Sequence, residues 1–188
     1  MLTHTHRRFH MDIKDLLTGS MAKQIGKAVG VDDDVVGLLL QKAVPTLLDN
    51  MSENSKKKDG AESLQKALLA HADDDVDDVK KIDTADGAKI IQHILGGNKA
   101  SVTKDLAKAA GGLDADKVDD ILALVGPMVM KSVGSKSKAN KGLDVADLLG
   151  DVMKDGKVDM SDIMKVASKI DADDVKMAAN VLGKLFKK

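Results

Sequence analysis

Cysteine, tryptophan and tyrosine are absent from the 188 residues, and Phe9 and Phe186 are the only aromatic side chains. Without cysteine the chain has no disulfide framework, no thiolate nucleophile and no cysteine zinc site. This absence fits a reducing cytoplasm, where we expect the protein to be located. The lack of aromatic faces removes the usual stacking sites for bases and sugars.

Long apolar runs are also missing. The longest nearly unbroken run, residues 121–130, has ten residues, whereas a transmembrane helix needs about 20. The formal net charge is −1, and no Arg follows Arg8. A protein with this charge balance has no overall field to attract nucleic acid or anionic lipid. Arg, the side chain that most often reads bases, is absent after residue 8. We therefore expect no membrane partner and no specific nucleic-acid partner.

The first ten residues differ in composition from the rest of the chain. They hold both Arg residues, three of the five His residues and one of the two Phe residues. Elsewhere the charged residues are almost all Asp and Lys. We expect residues 1–10 to be a non-native or disordered extension, with Met11 as the functional start.

Apolar residues recur at helical spacing along nearly the whole chain from Asp12 onwards. Sustained period-2 alternation of Val, Ile and Thr is absent from the sequence. We expect an all-α fold, a compact multi-helical bundle of eight to ten short helices.

Two helix corners share the same chemistry, Gly30-Val31-Asp32 and Gly112-Leu113-Asp114. In each, Gly takes the left-handed position after one helix, the apolar residue packs back, and Asp caps the next helix. Residues 30–51 and 112–133 also align, with Pro45 over Pro127. Both an internal duplication and convergence on one corner chemistry explain this match. Proline inside apolar stripes predicts a kink in both helices.

Two tracts rich in Lys and Ser, residues 52–58 and 132–141, predict solvated loops. The second tract divides the chain. We expect a helical core domain at residues 11–133, a linker at 134–142 and a C-terminal helical segment at 143–188.

The order of several motifs resembles one bacterial family. The motifs run from the amino-terminal half into the long apolar run: Ala43-Val44-Pro45-Thr46-Leu47-Leu48, Gly60-Ala61 with His71, Asp83-Thr84-Ala85-Asp86-Gly87, Ile90-Ile91-Gln92-His93-Ile94-Leu95-Gly96, Gly112-Leu113, and Leu124-Val125-Gly126-Pro127-Met128-Val129-Met130. Together they resemble the bacterial domain of unknown function 937 (YidB-like) family over roughly residues 20–133. The resemblance implies a compact all-helical bacterial protein and brings no established activity with it.

Residues 151–162 are partly similar to a calcium-binding loop. Asp151, Asp155, Asp159 and Asp162 fit ligand positions of an EF-hand, whereas Met153 occupies a position that needs an oxygen ligand. A helix–turn–helix with its turn at Asp155 explains every residue and is favoured. Weak calcium or magnesium binding is the alternative.

His71 and His93 are the only His residues after residue 10. With Asp86, or with the acidic residues 73–78, they suggest a metal site. The favoured interpretation is that each His borders a helix and hydrogen-bonds a backbone carbonyl.

The sequence contains no nucleophile elbow, phosphate-binding loop, dinucleotide fingerprint or pair of catalytic Glu residues. We therefore expect no catalysis and no cofactor. The remaining hypothesis is a non-enzymatic helical scaffold or protein–protein interaction module, which binds a protein partner or self-associates. The predicted C-terminal helix, residues 171–187, has an apolar face, and Leu182 and Phe186 are its expected contact residues. The alternative is a weak calcium-binding protein that uses the 151–162 loop.

Overall fold

A computed structural model describes residues 13–139 and 147–151, which all belong to the unit Met1–Gly156. A second unit, Lys157–Lys188, lies outside the described residues. Helix accounts for 83% of the described part and strands for none, which confirms the all-α prediction.

Seven α-helices and two 3₁₀ turns are present in residues 13–139. In chain order the α-helices are α1 (Ile13–Leu16), α2 (Gly19–Val29), α3 (Asp33–Ser55), α4 (Gly60–His71), α5 (Thr84–Leu95), α6 (Lys99–Ala109) and α7 (Ala115–Ala139). The 3₁₀ turns are Val79–Lys81 and Gly96–Asn98. Residues 147–151 are helical as well. The total of eight to ten helices for the whole chain stays a prediction.

The first predicted corner is confirmed in detail. Gly30 has a φ of 71°, and the N–H groups of Gly30 and Val31 both donate to the Gly26 carbonyl, at 2.8 and 3.0 Å. Val31 packs against the core, and the Asp32 carboxylate accepts from the Asp34 N–H at 3.0 Å. The left-handed Gly therefore ends α2, and Asp32 begins α3.

The second corner also uses left-handed glycine, but its turn is longer, because Gly111 has a φ of 78° as well. Gly112 has a φ of 90°, and the N–H groups of Gly112 and Leu113 both donate to the Ala107 carbonyl, at 2.9 and 3.1 Å. Leu113 also packs against the core. The α2–α3 and α6–α7 connections thus share a left-handed glycine followed by an apolar residue that packs on the core, but they differ in hydrogen-bond spacing. An internal duplication as their origin stays a prediction.

One hydrophobic core unites these elements, and α7 is its most deeply buried member. Every residue from 121 to 130 is buried, so the long apolar run forms an interior helix. Helix α7 packs most extensively on α5 and next on α4. Among the described helices, none combines the length and the apolar character needed to cross a membrane.

Glycine residues set the distance between α7 and its neighbours. A Cβ atom on Gly87 of α5 would lie 1.8 Å from the Ala123 carbonyl oxygen of α7. A Cβ on Gly134 of α7 would lie 2.1 Å from the Leu68 carbonyl oxygen of α4. Such distances are far inside van der Waals contact, so only glycine permits these two helix crossings.

The two prolines lie inside the two longest described helices, Pro45 in α3 and Pro127 in α7. Proline has no N–H, so Pro127 cannot donate to the carbonyl of Ala123, four residues earlier. This is the carbonyl that Gly87 approaches, and the Cα hydrogens of a glycine can make a weak hydrogen bond there. The expected kinks at both prolines stay predictions.

The solvated loop expected over residues 132–141 is not seen in its first eight positions. Helix α7 continues to Ala139, and Ser132, Val133 and Gly134 are buried. Composition suggested a loop, but the close contact between Gly134 and α4 holds the segment in the helix. The core also includes Leu148 and Leu149, from the segment that we expected after the linker. The domain boundaries themselves stay predictions.

The Gly87 contact makes a stability prediction. We expect Gly87→Ala to lower the free energy of unfolding by about 1 to 3 kcal/mol, because the added methyl group overpacks the α5–α7 contact. Gly37 of α3 is a matched control, since a Cβ there has nothing within 4 Å. Gly37→Ala should raise the free energy by up to about 1 kcal/mol. Urea unfolding measures the free energy of unfolding of both variants. Equal changes in the two variants would contradict the close contact between α5 and α7 at Gly87.

Candidate functional site

The predicted calcium ligands lie mostly outside the described residues. Asp151 is exposed and is the last described residue of the helical stretch 147–151. Asp155, Asp159 and Asp162 lie outside the described part, as do the predicted contact residues Leu182 and Phe186. Both hypotheses therefore stay predictions.

His71 and His93 have separate environments. His71 is the last residue of α4, and its Nδ1 lies 2.7 Å from Asp74 Oδ2. His93 is exposed in the last turn of α5. Within residues 13–139 and 147–151, no three His, Asp or Glu side chains are placed to hold a metal ion. His71 does border a helix as expected, but its partner is a carboxylate because an acidic loop follows directly.

The acidic loop, residues 73–78, contains five Asp residues around Val76. Four of its carboxylates lie beside cationic or ionisable side chains, and the fifth caps a 3₁₀ turn. The contacts are Asp73 with Lys138, Asp74 with His71, Asp75 with Lys81 at 2.9 Å, Asp77 with Lys131 at 4.0 Å, and Asp78 accepting from the Lys80 N–H at 3.1 Å. The carboxylates point to different partners, which explains why this dense cluster forms no common metal site.

Lysine contacts alter the ionisation of this loop. The hydrogen bond that Lys81 donates, assisted by its charge, lowers the pKa of Asp75, and the charge of Lys131 contributes. The same hydrogen bond raises the pKa of Lys81. Both shifts favour the charged forms, so the Asp75–Lys81 pair stays ionised across the neutral range.

The position of the acidic loop opposes the usual placement of Asp. Asp32 and Asp83 cap the starts of helices, where negative charge is favourable. Residues 73–78 instead follow the carboxyl end of α4, where the helix dipole is already negative. This end of the molecule therefore depends on positive charges supplied from elsewhere in the chain.

Two of the four cationic or ionisable partners, Lys131 and Lys138, come from one face of α7. Lys131, Gly134, Ser135 and Lys138 have the i, i+3, i+4, i+7 spacing of a single helix face. The Ser135 hydroxyl donates to the Ala72 carbonyl at 2.9 Å, just beyond the end of α4. Sequence reasoning missed this face because it assigned these residues to a loop. Their helical spacing was the signal that could have identified it.

A second polar cluster ties α6 to α7. Asp119 Oδ2 lies 2.7 Å from Lys99 Nζ, and Asp119 Oδ1 accepts a hydrogen bond from the Thr103 hydroxyl at 2.9 Å. Thr103 is buried, whereas the ion pair is partly exposed. The cluster borders an open cleft that Lys104 and Gly97 also line. Since Asp119 is already bonded to both neighbours, these contacts join the two helices.

A shallow groove runs between α3 and α6. It is lined by Leu38, Gln41, Lys42, Pro45, Thr46 and Ala109. Leu38 is 52% exposed and Leu69, on α4, is 45% exposed. These are the large exposed apolar side chains of the described residues.

The geometry so far defines an all-helical protein with a buried central helix and a charged end. A protein-family model matches residues 12–136, which is more than half of the chain. The chain therefore belongs to the family of bacterial proteins of unknown function DUF937, as the motifs had suggested. Comparisons with curated proteins and with solved structures give no match.

Proposed function

We propose that this protein is a non-enzymatic helical interaction module, located in the cytoplasm, that self-associates through its C-terminal segment. The described residues provide a rigid core, and Leu182 and Phe186 supply the contact. The proposal rests on where the apolar residues lie along the chain.

The observation that carries the proposal is that the apolar residues of the described helices are buried against one another in a single core. All seven helices contribute to one cluster, including fully buried Leu39, Leu122 and Met128. Burial of this kind contributes about 1.5 to 3 kcal/mol for each large aliphatic side chain. A core that is filled in this way supports a scaffold role.

The sequence of the C-terminal segment supports a contact between chains. Its apolar residues recur at helical spacing, at Ala178, Val181, Leu182, Leu185 and Phe186. The same stretch ends in Lys187 and Lys188. An apolar stripe beside polar residues is the pattern of helices that pair with another helix.

Both corners place a left-handed glycine before an apolar residue that packs on the core, and this shared feature supports the internal duplication. The α2–α3 and α6–α7 pairs would then be two copies of one helix–corner–helix unit. A protein built by repetition of a packing unit, without a catalytic cluster in its sequence, agrees with a scaffold role.

Light scattering coupled to size exclusion tests the self-association. The full chain should elute with a mass above its own 19.9 kDa. Leu182→Asp and Phe186→Asp should each shift it towards the monomer, because a buried carboxylate at an apolar contact is costly.

Asn180→Asp is the matched control, since it adds the same charge outside the apolar stripe. Circular dichroism should show unchanged helix content in all three variants. A monomeric wild type, or association that survives both stripe variants, would contradict the proposal.

The second candidate function is weak calcium binding by residues 151–162. It is favoured by the four Asp residues at ligand spacing and by the exposed position of Asp151. Asp151 makes interactions of its own within the chain, so calcium would have to compete with them.

A calcium titration followed by NMR tests this candidate. If the loop binds calcium, the amide of Gly156 should shift at millimolar concentrations, which is the weak range of extracellular calcium modules. Asp155→Ala, which removes the side-chain oxygen ligand, should abolish the shift. An unchanged Gly156 resonance in the wild type removes the candidate.

A further inference from the structure

We propose that the acidic loop and the last turns of α7 form a charge-dependent clasp. The clasp consists of residues 73–78 and the face of α7 that carries Lys131, Ser135 and Lys138. It opens when its charges are screened or neutralised, while the core stays folded. The inference does not depend on the proposed function.

Four contacts along one helix face hold the clasp closed. Lys131 reaches Asp77 at 4.0 Å, Gly134 packs against the end of α4, Ser135 bonds to Ala72, and Lys138 pairs with Asp73. Two of the four contacts are ionic and one is a hydrogen bond. Electrostatics therefore acts directly on the position of the last two turns of α7.

The ionic contacts act against the like-charge repulsion expected among the Asp residues of the loop. Five Asp residues stand beside the negative end of α4 and beside one another. Without Lys131 and Lys138 these carboxylates would repel each other and the helix end. Loss of the lysine charges should therefore displace the loop as well as the helix.

The clasp can open separately from the core because burial falls sharply along α7. Residues 121–130 are all buried, whereas residues 135–137 are half-buried and residues 138–139 are exposed. The side chains of Lys138 and Asp73 are 53% and 69% exposed. Pairs with such exposure are screened by salt, and helical turns with few buried contacts open at low cost.

The two lysines have different roles in this arrangement. The Lys131 side chain is only 13% exposed, so its stem is part of the packing, and its charge influences both Asp77 and Asp75. Lys138 lies at the exposed end. Its neutralisation removes the outer contact of the clasp and leaves the buried packing in place.

Residue-specific helicity tests the clasp in the full chain. We would measure ¹³Cα secondary shifts between about 0.1 M and about 1 M NaCl, over which the Debye length falls from about 10 Å to about 3 Å. The helical shifts of residues 135–139 should move towards random-coil values, and the amides of residues 72–78 should move with them. The shifts of residues 121–130 should stay constant.

Substitutions separate the specific contact from a general salt effect. Lys138→Gln should reproduce the high-salt shifts at low salt, whereas Lys89→Gln, on exposed α5 surface, should leave them unchanged. The exchanged pair Asp73→Lys with Lys138→Asp should restore part of the helicity. Urea unfolding of each variant shows whether the core has remained folded.

Three results would overturn the proposal. Residues 135–139 could keep full helicity in high salt and in Lys138→Gln. Lys138→Gln could unfold the core together with the helix end, which would make the contact a part of global stability. Lys89→Gln could have the same effect as Lys138→Gln, which would make the response non-specific.

Discussion

The packing of this protein depends on the close contact between Gly87 of α5 and the Ala123 carbonyl oxygen of α7. Pro127 removes its usual helical donor, and Gly87 brings α5 close enough to cover it. That approach allows Ile90 and Ile91 to lie against Gly126 and bury the centre of α7. Once α7 is interior on this side, α4 can pack on it through Gly134. The other helices pack around α7 and complete the core.

Charge is distributed in two ways around this core. Several Asp residues stand at the caps or in the first turns of helices, as Asp32 and Asp83 do, and stabilise them locally. The acidic loop is placed differently, because it follows a helix end and two of its carboxylates pair with lysines from α7. A local rule that is broken in this way and compensated from a distance often marks a region that can change state. The proposed clasp accounts for the unusual placement of the acidic loop, because a loop held by distant lysines can separate from α7 when those charges are screened.

Local chemistry made much of the fold predictable, and distant contacts made the rest unpredictable. The corners at Gly30 and Gly112 followed from nearby residues, because left-handed glycines and Asp caps act within a few positions. Residues 132–139 were wrongly expected to be a loop, since their helix depends on α4, more than 60 residues earlier. Lys131 and Lys138, the partners that α7 supplies to the acidic loop, were hidden for the same reason. The family was predictable because the order of its motifs is preserved along the chain.

The claim that α7 is the structural axis is tested most directly by native-state hydrogen exchange at increasing denaturant. Amides of residues 121–130 should exchange only through global unfolding, with opening free energies equal to that of the whole core. Amides of α2 and α6 should exchange through smaller local openings at low denaturant. They should exchange through global unfolding only at higher denaturant concentrations. If instead α7 opened at low denaturant while α2 and α3 stayed protected, the packing would be organised around a different helix and the account would be wrong.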